Sequence, residues 1–348
     1  MKKFVGLAFL VAVGVGGALA FRAFAPPRIP ENPLEAVPAN AQAVLRVNVP
    51  ALRNSPIFTH VEALTGLAER MDALEERCGF DPFEMVDALY AFPVATEPDA
   101  AEPDAAARPE ADGDASSQLT YVGLLLAGHF DHERLGACLG DALESTGQEH
   151  GLTTVGGFPA LAAGASRAVF VGRQGVILGS EEVAEEVLRT LQGDKPSLRD
   201  EAPELAALLE RVAQRPGGGS RELALVGTFP GRWRERPPAP VRSALGAVDL
   251  GDALGSLEAF AAGGRVSRGL ALSLLLHFDD AEAAQAAHDA AAGMKERLMN
   301  APLIAMSPAG AALETVELEA RGADATLAFD VDGAGLATLL DAAEFLGR

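Results

Sequence analysis

The chain has 348 residues, 49% of them hydrophobic and 22% charged, with a formal net charge of −21. That length is enough for two cores, since domains usually hold roughly 100–200 residues, and the composition is that of a folded rather than a disordered protein. The acidity argues against nucleic acid, whose phosphates need a basic surface, and against broad electrostatic adhesion to anionic lipid.

Lys2 and Lys3 precede an uncharged run from Phe4 to Phe21, the charged and apolar regions of an export signal. Eighteen residues at about 1.5 Å each reach about 27 Å, close to the roughly 30 Å hydrocarbon thickness, so residues 1–25 read as an uncleaved anchor. Cleavage after Ala18-Leu19-Ala20, which has the small-x-small form, is the alternative. Either way the lysines stay on the cytoplasmic side and the rest is exported, to the periplasmic face of the inner membrane or, if cleaved, to the periplasm or medium.

Five prolines, Pro26, Pro27, Pro30, Pro33 and Pro38, then punctuate residues 26–42, which read as an extended stalk. Val44 to Val49 alternates as a strand, with Leu45, Val47 and Val49 on one face. Pro50 ends it, Ser55 and Pro56 open a helix, and Gly79 closes that helix. A strand follows from Ala88 to Val94. Residues 97–118 carry seven carboxylates against one arginine among Ala, Pro, Gly and Ser, so they form a disordered acidic loop.

Another strand runs from Leu119 to Phe130, Asp131 caps a helix to about Glu144, and hairpin strands from Leu152 to Leu178 lead into a helix over Ser180 to Gln192. Residues 195–222 hold a helix at Leu205 to Gln214 and a flexible Pro-Gly-Gly-Gly joint.

The second half, residues 223–348, repeats this order. A strand at Leu223 to Phe229 is followed by a short helix near Pro240 to Ala247, strands at Ser256 to Ala262 and Val266 to Phe278, a helix from Asp279 to Met299, a hairpin turning at Arg321-Gly322 and a final helix to Leu346. FDPFEMVDALYAF at 80–92 lies over VDLGDALGSLEAF at 248–260 without a gap, and His129-Phe130-Asp131 over His277-Phe278-Asp279. Asp279 and Glu282 have capping-box spacing.

Two repeats, 43–194 and 223–348, therefore predict an α+β fold of two tandem ferredoxin-like units, each an antiparallel sheet with helices on one face. One continuous sheet shared by both is the alternative. Cys78 and Cys138 are the only cysteines, and a disulfide and two buried thiols stand equally open.

Walker, nucleophile-elbow, SxxK, HExxH and dinucleotide-binding motifs do not occur after the signal, so no cofactor is expected. His129, Asp131 and His132 offer two imidazoles and a carboxylate, the residue types that hold zinc or iron, although Asp131 is better explained as a cap. Asp330 and Asp332 alternate on one strand as a carboxylate pair or a solvated face. Arg232, Trp233, Arg234 and Arg236 make the one basic patch, a candidate contact for an envelope protein.

The segment VPANAQAVLRVNVPALRNSPIF, its amphipathic helix and GFDPFEMVDALYAF resemble a pattern in uncharacterised exported proteins of high-GC bacteria that carry a domain of unknown function. The resemblance implies a signal or anchor and no assigned catalytic residues. The expected function is a non-enzymatic envelope interaction or binding module. The alternatives are a periplasmic metal-dependent hydrolase at the His129 corner and a small-ligand binder between the repeats.

Overall fold

The computed structural model of the chain describes residues 27–94, 121–215, 222–229 and 251–339, apart from Gly66. The signal, the acidic loop, the Gly-rich joint, the basic patch at Arg232 to Arg236, the helix near Pro240 and the end of the final helix lie outside them. Among the described residues no helix is long and apolar enough to cross a membrane.

The proline-rich segment is not a stalk in its described part. Asn32 caps a short helix, α1 (Pro33–Ala36), by accepting from the Leu34 N–H, and Pro33 sits at its first position, where a missing N–H costs nothing. Leu34, Ala36 and Val37 are fully buried, and the Tyr90 hydroxyl donates to the Pro30 carbonyl. Proline punctuation hid a core element, because burial is decided by residues far away in sequence.

Next come β1 (Ala43–Asn48), α2 (Val49–Arg53), α3 (Pro56–Thr65) and α4 (Leu67–Cys78). The Ser55 Oγ accepts from the Phe58 N–H, the expected cap, while Asn48 caps the unexpected α2 through the Ala51 N–H. A 3₁₀ turn at Pro82–Met85 leads into β2 (Val86–Val94), β3 (Tyr121–Gly128) and α5 (His132–Ser145). Cys78 and Cys138 form a disulfide that ties the end of α4 to α5.

The strands β4 (His150–Val155), β5 (Phe158–Ala163), β6 (Ser166–Val171) and β7 (Gly175–Ser180) form successive hairpins before α6 (Glu181–Gln192), α7 (Leu198–Glu201) and α8 (Pro203–Ala213). The second half contributes β8 (Leu223–Thr228), β9 (Leu257–Arg265), β10 (Gly269–Phe278), α9 (Ala281–Met299), α10 (Pro302–Ala305), α11 (Pro308–Glu314), β11 (Glu317–Arg321) and β12 (Asp324–Asp332). Residues 333–339 are helical.

All twelve strands join one antiparallel sheet in the order β11-β12-β10-β9-β8-β1-β2-β3-β7-β6-β5-β4. The continuous sheet is what forms, rather than one sheet per repeat, because β1 and β8 pair edge to edge, Leu45 opposite Leu225. Each half winds alike outward from that seam. Three meandering strands are followed by a helix and then further antiparallel strands, four in the first half (β4 to β7) and two in the second (β11 and β12), the last of which returns beside the third. That order differs from the βαββαβ winding expected of a ferredoxin-like unit.

The halves correspond with a different register from the ungapped one. Ala91 pairs with Leu45, and Ala262 with Leu225, so Ala91 matches Ala262 rather than Ala259. The His-Phe-Asp corner does match in its phenylalanines. The Phe130 N–H donates to the Arg173 carbonyl and the Phe278 N–H to the Ala323 carbonyl, in equivalent hairpin turns, and both rings are buried. Asp131 caps α5 through the Arg134 N–H, but α9 is capped one residue later than expected, by Asp280 through the Ala283 N–H.

One sheet face, with Val44, Phe92, Leu125, Ile177, Val226 and Leu275, is covered by α1, α6 and α8 in a core shared by both halves. Gly123 stands opposite Phe92, and a Cβ there would clash with its ring and with Val183 of α6. Helix α8, expected at Leu205 to Gln214, lies on β8, β9 and β10, and with α7 it contributes Leu198, Leu205, Leu208 and Val212 to the core.

Candidate functional site

The second face carries a continuous aliphatic row. Directly opposed residues run from one edge of the sheet to the other as Leu152, Leu161, Ala168, Leu178, Leu124, Ala91, Leu45, Leu225, Ala262, Leu274, Leu327 and Leu318. At about 4.8 Å between strands, the row is roughly 50 Å long. Each strand contributes one member because alternation places every second side chain on this face.

Two helices lie on this face, toward its ends. Leu135 and Leu139 of α5 pack with Leu161, Ala168 and Leu178, while Ala283, Ala284 and Ala287 of α9 pack with Phe260, Leu276 and Ala325. Between them Leu124, Ala91, Leu45, Leu225 and Leu274 are each only half-buried. Beside them the neighbouring rungs add Leu89, Leu223, Leu272 and Phe329, also half-buried, and Val122, which is 58% exposed. Removing such side chains from water is favourable by about 25 cal/mol per Å², so this face is suited to an apolar occupant.

Under α5 the row borders a hollow of about 460 Å³ lined by Leu139, Leu143, Leu161, Ala168, Leu178 and Arg167. The Arg167 Nε donates to Glu181 at 3.1 Å and its Nη1 to the Gly164 carbonyl, so its charge is already engaged at the rim. The hollow is thus a mainly aliphatic space with one fixed cation beside it.

Polar side chains collect on the opposite face, toward the β11 edge. Asp324 accepts from Arg211 of α8 and lies 2.7 Å from the His277 Nδ1. Glu319 pairs with Arg215, whose hydrogen bond and charge hold its carboxyl below the usual range. Asp330 pairs with Arg265, and Asp332 accepts from the Gly335 N–H at the start of the last helical segment, so these two carboxylates serve different partners and form no acid/base pair. These contacts tie α8 and the strands together.

The structure does not assemble the metal-like corner. His129 lies 3.1 Å from Asp87 and is almost fully exposed, Asp131 is occupied as a cap, and the His132 ring stands 6.4 Å from the Phe170 ring. Among the described residues no group of three His, Cys, Asp or Glu side chains is placed to hold a metal ion. Arg232, Trp233, Arg234 and Arg236 lie outside the described residues. The aliphatic row was missed in sequence because each strand shows only its own alternation, and the row exists only once the register between strands is known.

At the seam, Glu222 accepts from the N–H groups of Val266 and Ser267 and from the Ser267 hydroxyl. Burial pushes its carboxyl up, but these three bonds and the Arg265 charge outweigh burial and hold it below its ordinary value.

The chain matches no protein-family model and no curated protein. Among solved structures it is similar to crystal forms I and III of TP0453, at 12% and 13% identity over 89% of this chain and 97% and 98% of theirs, each with a TM-score of 0.46. Crystal form IV of TP0453 is similar over 92% of this chain and 98% of that one, with 12% identity and a TM-score of 0.46.

Proposed function

We propose that the chain is an exported cell-envelope protein, held to the inner membrane by its N-terminal segment, that acts as a non-enzymatic binding module. The aliphatic row carries this reading: directly opposed Leu and Ala side chains cross both halves, and between α5 and α9 all of them but the buried Ala262 stay half-buried. An apolar ligand, or the apolar surface of an envelope partner, is the chemistry that gains from such a face. The two halves are read as two tandem copies of one α+β module, supported by their matching winding and by the paired Phe130 and Phe278 corners.

The reading is tested by placing a photo-activatable amino acid at Leu45 or Leu225 in the full chain in cells. Both positions are expected to capture the same species, and one placed at Glu317, on the other face at the charged edge, is expected to capture none of it. No adduct at either seam position, together with a turnover by the purified chain in hydrolase assays, overturns it.

A further inference from the structure

The aliphatic row ends in the open. Leu152 is 85% exposed on β4, which has β5 on one side and, among the described residues, no strand on the other. Sheet edges are usually guarded by charge, proline or brevity, because unpaired N–H and C=O groups recruit another strand. The far edge follows that rule, with Glu317, Glu319 and Arg321 among the five residues of β11. The six residues of β4, His-Gly-Leu-Thr-Thr-Val, include no Asp, Glu, Lys, Arg or Pro.

Which backbone groups face outward follows from the turn. Val155 and Phe158 flank Gly156-Gly157, both at positive φ, as a two-residue hairpin loop requires. The flanking pair of such a loop is hydrogen-bonded, and the ladder alternates from there. Thr153 and Gly151 therefore bond to β5, while His150, Leu152 and Thr154 point their N–H and C=O groups outward. Pro159, opposite Thr154, fits this register because it falls in a pair that exchanges no hydrogen bonds.

We propose that this edge docks a second copy of the chain, β4 against β4 antiparallel, with a two-fold axis at Leu152. In that register Leu152 opposes its own copy as a hydrogen-bonded pair, and His150 opposes Thr154 of the other chain on either side. All three outward-facing residues find partners, and residues on the row's face meet residues of the same face. The aliphatic row then runs unbroken from one chain into the next. The strand is self-complementary in this register, as an isologous contact demands, and offers no charge with which to select a charged peptide. Net charge of −21 opposes the association at long range, so the dimer strengthens as salt screens it.

Disulfide trapping of the full chain in its membranes tests this. Paired Cα atoms in a hydrogen-bonded antiparallel pair lie about 5.5 Å apart, within the range a disulfide spans. A Leu152→Cys chain should give a disulfide-linked homodimer about tenfold more abundant than a Glu317→Cys chain at the guarded edge, and the parent chain should give none. Adding Thr154→Pro removes one outward N–H while sparing the β5 ladder, and should abolish trapping. In sedimentation of the detergent-solubilised full chain, Leu152→Lys should raise the dimer dissociation constant roughly tenfold. Equal trapping at positions 152 and 317, trapping that survives Thr154→Pro, or adducts of position 152 with other proteins instead of itself overturns the proposal.

Discussion

Leu45 of β1 stands directly opposite Leu225 of β8, and at that pair the two halves become one sheet. The pair also belongs to the aliphatic row, so the seam that unifies the fold is the middle of the candidate binding face. On the opposite face the neighbouring Val44 and Val226 are fully buried in one core with Phe92, Leu275 and Leu205.

A shared core predicts shared unfolding. Urea or calorimetric melts of the full chain should show one cooperative transition for both halves, and two resolved transitions would contradict the continuous sheet. Leu205→Ala, at a fully buried α8 position between the halves, should lower stability by about 2–5 kcal/mol without splitting the transition.

The Cys78–Cys138 bond closes a separation of 60 residues, for which chain entropy gives about 4 kcal/mol. Replacing both cysteines by serine should lower stability by about 2–4 kcal/mol and loosen α4 from α5. Thiol titration of the unfolded, unreduced protein should find no free sulfhydryl, where free thiols would have given two.

Glu222 makes stability depend on pH. Its carboxyl is held below the ordinary glutamate value in the folded chain, so its contribution is complete above the unfolded value and is lost as pH falls through the folded one. Glu222→Gln should cost about 1–2 kcal/mol at neutral pH, tempered by solvent, and progressively less below about pH 5. Urea melts of both forms across that range check it, and a difference that grows with acid would contradict the hydrogen-bonded carboxylate.

His129 is exposed beside Asp87, while His277 lies between sheet and α8 beside Asp324. His277→Ala should therefore lower stability by about 1–3 kcal/mol, as loss of a partly buried hydrogen-bonded pair does, and His129→Ala by less than about 0.5 kcal/mol. Thermal melts of the two variants decide the matter, and equal losses would mean that the two His-Phe-Asp corners are equivalent throughout.

Much of the local structure was legible. Ser55 and Pro56, Asp131, and the turn at Gly322 use backbone chemistry that a few neighbouring residues dictate. The structure departs from the sequence-based expectation where a distant partner decides. Leu34 and Val37 are core residues because α6 and α7 meet them, and no local pattern shows that. The β1–β8 pairing joins residues about 180 apart in sequence, so the alternation within each strand allowed either two sheets or one. The ungapped overlay of 80–92 on 248–260 followed identities, while hydrogen-bond register shifts the match by three residues and moves Phe92 and Phe260 to opposite faces.

The central claim is that the seam face binds an apolar partner, and titration of the full chain with an environment-sensitive apolar fluorophore tests it most directly. Saturable binding is predicted, weakened about tenfold or more by Leu45→Ser and by Leu225→Ser in chains that still unfold cooperatively, and unchanged by Glu317→Ser. Binding that ignores both seam substitutions, or an absence of saturable binding in the parent chain, would contradict it.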